Sequence, residues 1–230
     1  MLLKTNKLMK AFGGLKAINK VDFELPANEI RGIIGPNGSG KSTFFNLVSG
    51  VYEPDPGSYI EFDGKDITNE PPHKVGELGL ARTFQLLRLY QDMSVINNVM
   101  SGYHTLVPYN FIDAVTGRKK IWDQEKVIKE EMMELLSFVG LADYAELNAS
   151  ELSGGQRRLL VLARAIAGKP KLLMLDEPAA GLSPVNVDNL MKILMRLKEK
   201  YGLTLIIIEH ILKVVMDTCS KVTVLDHGEK

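Results

Sequence analysis

The run Gly35-Pro36-Asn37-Gly38-Ser39-Gly40-Lys41-Ser42 has the residue types and spacing of a phosphate-binding loop. Its glycines let successive backbone N–H groups converge on phosphate oxygens. Lys41 brings a cation to the outer phosphates, and the Ser42 hydroxyl is a hard ligand for Mg2+. The dinucleotide pattern G-x-G-x-x-G is not satisfied, because Thr43 stands where its third glycine would fall.

Two further groups complete a chemistry of nucleotide hydrolysis. The apolar run at 172–175 ends in Asp176-Glu177, which puts two carboxylates at the C-terminal edge of a sheet, where open α/β sheets bind ligands. Asp176 would support Mg2+ through a coordinated water, and Glu177 would orient and polarise the attacking water. In Leu152-Ser153-Gly154-Gly155-Gln156, Ser153 can cap a helix whose first amides two glycines leave bare, a second anion site.

The chain has 230 residues, 45% hydrophobic and 24% charged, which suits a globular fold with a full core and excludes disorder and fibrous repeats. Lys and Arg number 28, as do Asp and Glu, so no net field draws in nucleic acid or an anionic membrane. Cys219 is the only cysteine, so no internal disulfide forms; it reads as a small buried hydrophobe in a reducing compartment. Apolar runs such as 205–208 fall far short of the roughly 20 residues of a membrane span, and Lys4, Lys7 and Lys10 interrupt any signal-peptide core. A cytoplasmic location follows.

These residues need elements to position them. Val21-Asp22-Phe23-Glu24-Leu25 alternates as a strand, Pro26-Ala27-Asn28 turns, and residues 29–34 run into the glycine loop, which opens a helix over 42–48 ending at Gly50. From about 85 to 150 the pattern is helical, with Ile128, Met132, Leu135, Leu136 and Val139 on one stripe and a mixed-charge solvated face at 118–131. The last third predicts a helix over 156–167, a strand over 172–175, and a helix opened by Ser183-Pro184 that carries Val187, Leu190, Met191 and Leu194. A strand over 204–208 follows, and this alternation implies a parallel sheet.

The pentapeptide Leu152 to Gln156, standing ahead of Asp176, resembles the signature sequence of the ATP-binding cassette family, and the similarity covers essentially the whole chain. The resemblance implies an α/β P-loop NTPase fold. Its RecA-like core would have a mixed, mainly parallel sheet, joined by an N-terminal antiparallel β subdomain and an inserted helical subdomain. A single domain would span 1–230, with the nucleotide-binding core at 1–84 and 151–230 and the helical subdomain at 85–150. Phe12 resembles the aromatic that stacks on adenine, and Gly35, Pro36, Asn37, Gly38, Ser39, Gly40, Lys41, Ser42 and Thr43 would hold the phosphates of ATP. Gln85 resembles the glutamine that touches Mg2+ and the attacking water, giving a metal set of Ser42, Gln85 and Asp176. His210 resembles the switch histidine at the γ-phosphate, so Glu177, His210, Gln85 and Lys41 form the implied catalytic set. Ser153, Gly154, Gly155 and Gln156 would face the ATP of a partner subunit in a head-to-tail dimer.

Phe12-Gly13-Gly14-Leu15-Lys16-Ala17, Arg82-Thr83-Phe84-Gln85 with Arg88-Leu89-Tyr90 and Met93-Ser94-Val95, and Glu177-Pro178-Ala179-Ala180-Gly181-Leu182-Ser183-Pro184 together are similar to the branched-chain amino acid import ATPases. Urea and short-amide importers share much of this pattern. The resemblance implies an ATPase on the cytoplasmic face of the membrane, peripheral to permease subunits that dock around residues 86–99. It also implies a second cassette of the same or a related chain and, indirectly, a solute-binding protein. Nucleic acid is not an expected partner: cassettes acting on DNA or ribosomes show fused cassettes, coiled-coil insertions or zinc motifs that this chain lacks. A small-molecule kinase would not need residues 152–156. Ser183 stands where most cassettes carry aspartate, and the chain stops at Gly228-Glu229-Lys230, earlier than family members usually do, as a trimmed end would.

Overall fold

The computed structural model describes residues 1–83, 89–103 and 119–230, with 119–125 described by backbone alone. Alternation builds the first sheet. In β1 (Leu3–Phe12) and β2 (Leu15–Leu25), Leu3, Leu8, Ile18, Val21, Phe23 and Leu25 turn inward while lysines and acids face out. The two strands pair antiparallel. β4 (Tyr59–Phe62) pairs with β1 and β5 (Lys65–Asp66) with β4, giving the order β2-β1-β4-β5.

The inner strands of the second sheet carry near-continuous apolar runs, as strands covered on both faces require, while its edge strand over 221–224 buries only Thr223 and exposes Lys221, Val222 and Val224. β3 (Ile30–Ile34), β6 (Leu80–Arg82), β7 (Leu172–Asp176), β8 (Thr204–Ile208) and β9 (Lys221–Val224) lie in the order β6-β7-β8-β3-β9, every neighbour parallel. The antiparallel strands thus keep to their own sheet. Between the sheets sits α1 (Lys41–Val48), whose Phe44, Phe45, Leu47 and Val48 share one apolar cluster with Phe23 and Phe62 on one side and Ile33, Met174 and Ile206 on the other. Phe23 and Phe44 meet edge to face at 5.1 Å. Each such buried phenyl contributes about 2–3 kcal/mol, so the loop that opens α1 stands on a well-anchored helix.

Register then decides what meets at the sheet edge. Ile33 pairs with Ile208, and Ile208 pairs with Asp176, so the chain leaves β3, β7 and β8 on the same side carrying Gly35, Glu177 and His210. α2 (Pro72–Glu77), α6 (Pro184–Tyr201) and α7 (Leu212–Thr218) complete this unit, which comprises Met1–Gln85 and Lys171–Lys230. α6 buries Val187, Leu190, Met191 and Leu194, and its N-cap Ser183 accepts the Asn186 N–H. Burial pushes the Cys219 thiol up to about 11, which keeps it protonated and unreactive at neutral pH.

The second unit, Leu86–Pro170, is helical: α3 (Val95–Tyr103), α4 (Lys119–Val139) and α5 (Gly154–Ala167). Met132, Leu135, Leu136 and Val139 are buried on one stripe of α4 with Ile128 half-buried at its end. The expected core segment began at 151, yet α5 groups with this helical unit. It packs on both α3 and α4, and its Leu160, Ala163 and Ile166 are buried.

Candidate functional site

The glycine loop leaves β3 and closes onto α1. Gly40 has φ 102, and a Cβ there would run into the Ala17 carbonyl; a Cβ at Gly35 would overlap the Leu225 carbonyl. Larger residues at either position would push the loop off its strand. Gly228 N–H donates to the Ser39 carbonyl at 3.1 Å, and Asn19 N–H donates to the Gly228 carbonyl at 2.8 Å, so the loop is held from outside as well. Gly40 caps α1 with no side chain, which leaves the first amides of the helix bare for an anion. Among the described residues the buried Ser39 hydroxyl has no hydrogen-bond partner.

Lys41 lies across its own loop and donates to the carbonyls of Gly35 at 2.8 Å and Pro36 at 2.9 Å. Its pKa is lowered by burial, against which the charges of Glu177 and Asp176 act. An ammonium held this way stands at the mouth of the loop, where it can meet the charge of a phosphate. Pro36, Asn37, Gly38 and Ser42 are exposed beside it, and Thr43 is half-buried.

Asp176 ends β7 with its carboxylate buried, and burial raises its pKa while Arg82 opposes that rise. Arg82 is the residue that pattern reading passed over as more than part of a motif. From the end of β6 its Nη2 donates to Asp176 Oδ2 at 3.2 Å, its Nη1 donates to Asn46 Oδ1 at 2.6 Å and Ser49 Oγ at 3.3 Å, and its guanidinium lies 5.4 Å from the Phe45 ring centre. One cation thus ties the carboxylate to α1. The available signal was a single charge on a strand of the buried sheet. Arg82→Met should lower the unfolding free energy by about 3 kcal/mol, because a buried carboxylate loses its counter-ion. Urea denaturation of Arg82→Met and of the double variant Arg82→Met/Asp176→Leu checks this. The double variant should recover most of the loss, and an unchanged midpoint in the single variant would show the pair to be idle.

Glu177 follows with φ 50, the left-handed region that costs a non-glycine residue about 1–2 kcal/mol. Its N–H donates to the Ile208 carbonyl at 2.9 Å, and its carbonyl accepts the Ala180 N–H at 3.2 Å. The strained backbone turns the side chain toward His210, whose Nε2 lies 3.0 Å from Glu177 Oε1. A carboxylate and an imidazole joined this way at the sheet edge can take and pass a proton.

Phe12 stands exposed at the end of β1, edge-on to Tyr52 with ring centres 5.5 Å apart and the Lys10 ammonium 5.7 Å from its own centre. A ring exposed in this way suits a planar base. Gln85 lies outside the described residues.

In the helical unit, Ser153 caps α5. Its hydroxyl accepts the Gln156 N–H at 3.4 Å, and Gln156 Oε1 accepts the Ser153 N–H at 2.9 Å, a reciprocal capping box. Arg157 donates to the carbonyls of Leu152 at 2.8 Å and Ser150 at 3.1 Å, holding the approach to the helix, while Gly154 is exposed in front of it. Among the described residues no group of three or more His, Cys, Asp or Glu forms a metal cage. A hydroxyl and one carboxylate are a donor set for an ion held mainly by phosphate and water, as Mg2+ is at nucleotide sites.

Comparison with known proteins places this geometry. Residues 18–180 match the ABC transporter family. The probable branched-chain amino acid transport ATP-binding protein LivG of Archaeoglobus fulgidus is 40% identical over 231 residues, covering 99% of this chain and 86% of that protein. The high-affinity branched-chain amino acid transport ATP-binding protein BraF of Pseudomonas aeruginosa is 35% identical over 227 residues, covering 99% and 89%. Among solved structures, the ADP conformation of MJ1267, an ATP-binding cassette of an ABC transporter, superposes with a TM-score of 0.85 at 33% identity, covering 99% of this chain and 88% of that one. Fold, loop chemistry and near-full-length likeness converge, and the chain belongs to the ABC transporter family as one of its ATP-hydrolysing, nucleotide-binding subunits.

Proposed function

We propose that this chain powers an importer of branched-chain amino acids, binding ATP with Mg2+ and hydrolysing it within a dimer of cassettes docked on membrane permeases. The likeness to LivG and BraF over 99% of the chain carries the reading. The nucleotide site supplies the chemistry. Lys41 exchanges the Gly35 and Pro36 carbonyls for phosphate oxygens, the α1 amides take the phosphate charge, and Phe12 offers its exposed ring to the base. Ser42 and Asp176, with Gln85, are the residues to hold Mg2+, which when bound neutralises charge on the β- and γ-phosphates. Glu177 then accepts the proton of the attacking water while His210, joined to it, faces the γ-phosphate.

The remaining assembly rests on the family resemblance. Ser153, Gly154, Gly155 and Gln156 close on the ATP of a second cassette, the same or a related chain, and the helical unit carries the permease contact. Within 86–99, the described part exposes Tyr90 and Met93. The buried Asn98 pins this segment by donating to the carbonyls of Tyr90, Met93 and Ser94 and accepting the Tyr90 N–H at 3.0 Å. No helix among the described residues is long and apolar enough to cross a membrane; attachment at the cytoplasmic face through permeases rests on the family resemblance. A solute-binding protein acts on the assembly indirectly.

The test is purification from the native membrane in mild detergent, with identification of the chains that stay bound and ATPase assays across solutes. Two permeases, a second cassette and stimulation by a branched-chain amino acid with its binding protein are the expected result. Stimulation by urea or a short amide would reassign the solute, and a response to nucleic acid or ribosomes without any membrane protein would overturn the importer reading.

A further inference from the structure

We infer that Glu209, buried between the loops that carry Glu177 and His210, is a positioning residue that sets their geometry for hydrolysis. The inference rests on the reading of Glu177 and His210 as the hydrolytic pair. Glu209 follows the last residue of β8 and is only 2% exposed. A carboxylate is costly there unless its oxygens are matched. Among the described residues it has no Lys, Arg or His within ion-pair distance; backbone amides match it instead. Oε1 accepts the Ala179 N–H at 2.7 Å, and Oε2 accepts the His210 N–H at 3.1 Å and, more weakly, the Ile211 N–H at 3.5 Å.

The donors come from two different loops. Ala179 is two residues beyond Glu177, on the turn whose first residue is held at φ 50, and it is buried. His210 and Ile211 begin the other loop. One oxygen therefore grips the turn after β7 and the other grips the turn after β8, and the carboxylate fixes the separation across which His210 Nε2 meets Glu177 Oε1 at 3.0 Å. Hydrogen bonds from amides to an ionised carboxylate are roughly twice as strong as neutral ones, enough to hold a left-handed glutamate whose backbone would otherwise relax. Neither close relative of the side chain can replace it. Glutamine brings an NH2 group against an N–H donor at one end, and aspartate is one methylene too short to span both loops.

Glu209 touches neither water nor nucleotide in this scheme, so its effect belongs in kcat and not in binding. The experiment compares the full chain with Glu209→Gln and Glu209→Asp by ATPase kinetics, ADP calorimetry, thermal unfolding and the imidazole 15N resonances of histidine-labelled protein, with the His210 signal assigned by its loss in His210→Ala. The expected result is a kcat at least tenfold lower, KM for ATP and ADP affinity within about twofold of the parent, and a displaced His210 resonance. Should Glu209→Gln fail to fold, Glu209→Asp carries the test. Parental kcat in a folded variant would overturn the inference. So would a kcat that falls only with the folded fraction while the His210 signal stays in place, because the carboxylate would then be a structural bond alone. If His210→Ala and Glu177→Gln both hydrolyse ATP at the parental rate, the hydrolytic reading itself falls, whatever Glu209 does.

Discussion

Glu177→Gln should lower kcat for ATP hydrolysis by about 1,000-fold, within the range of about 100- to 10,000-fold for a positioned general base, while ATP stays bound. The carboxamide has the size and hydrogen-bonding reach of the carboxylate, so the contact to His210 Nε2, 3.0 Å in the parent, can persist. Glutamine meets the same backbone cost at φ 50 as glutamate does, so the turn is not newly strained. What is lost is the ability to take a proton from water. In the proposed dimer, nucleotide that binds but is not cleaved keeps bridging two cassettes, so the variant should sediment as a dimer in ATP and as a monomer in ADP. Single-turnover hydrolysis and sedimentation measure the two parts separately. Hydrolysis at the parental rate would remove Glu177 from the role of base.

The second large effect falls on binding. Lys41→Ala should weaken ADP and ATP affinity by about 100-fold: charge-assisted hydrogen bonds contribute about 1.5–3 kcal/mol, and each 1.4 kcal/mol is tenfold in Kd. The ammonium is already desolvated, its pKa lowered by burial, and it lies within bonding distance of two loop carbonyls. The free site therefore gives up little ordering when phosphate arrives. Removing the lysine also frees the Gly35 and Pro36 carbonyls and brings Asp176 and Glu177 a step closer to an uncompensated negative pocket. Calorimetric titration with ADP is the direct measurement. Thermal unfolding gives a second reading, since saturating ADP should raise the Tm of the parent and leave that of the variant nearly unmoved. Affinity equal to the parent would show that the phosphates lie elsewhere.

Much of the site was legible in the amino-acid order because its chemistry is local. A phosphate loop needs bare amides, a cation and a hydroxyl within eight consecutive residues, and Gly35 to Ser42 declares all three. Ser153 caps the helix it was expected to cap, and Ser183 does the same for α6. The apolar runs announced buried strands, and the stripe from Met132 to Val139 announced the face of α4 that is buried. In each case the signal and the structure span fewer than about three turns of chain, where backbone propensity and side-chain period act directly.

Other features had no local signal. Arg82 and Asp176 are 94 positions apart, and Ala179 and Glu209 are 30 apart. Nothing near Arg82 says which carboxylate it will meet, since that depends on β6 lying beside β7 in the sheet. Nothing near Glu209 says that its oxygens will find amides, since that depends on β8 pairing with β7 in the register that sets Ile208 against Asp176. The helix after Ser153 carries the same apolar period whether it packs on the sheet or on helices; contact with α3 and α4 assigned it to the helical unit. The chemistry this protein carries is readable along the chain, because phosphate binding, capping and burial are written in neighbouring residues. How the charges are paired and held apart emerges only on folding, because strand order and register join residues that the chain keeps far from one another.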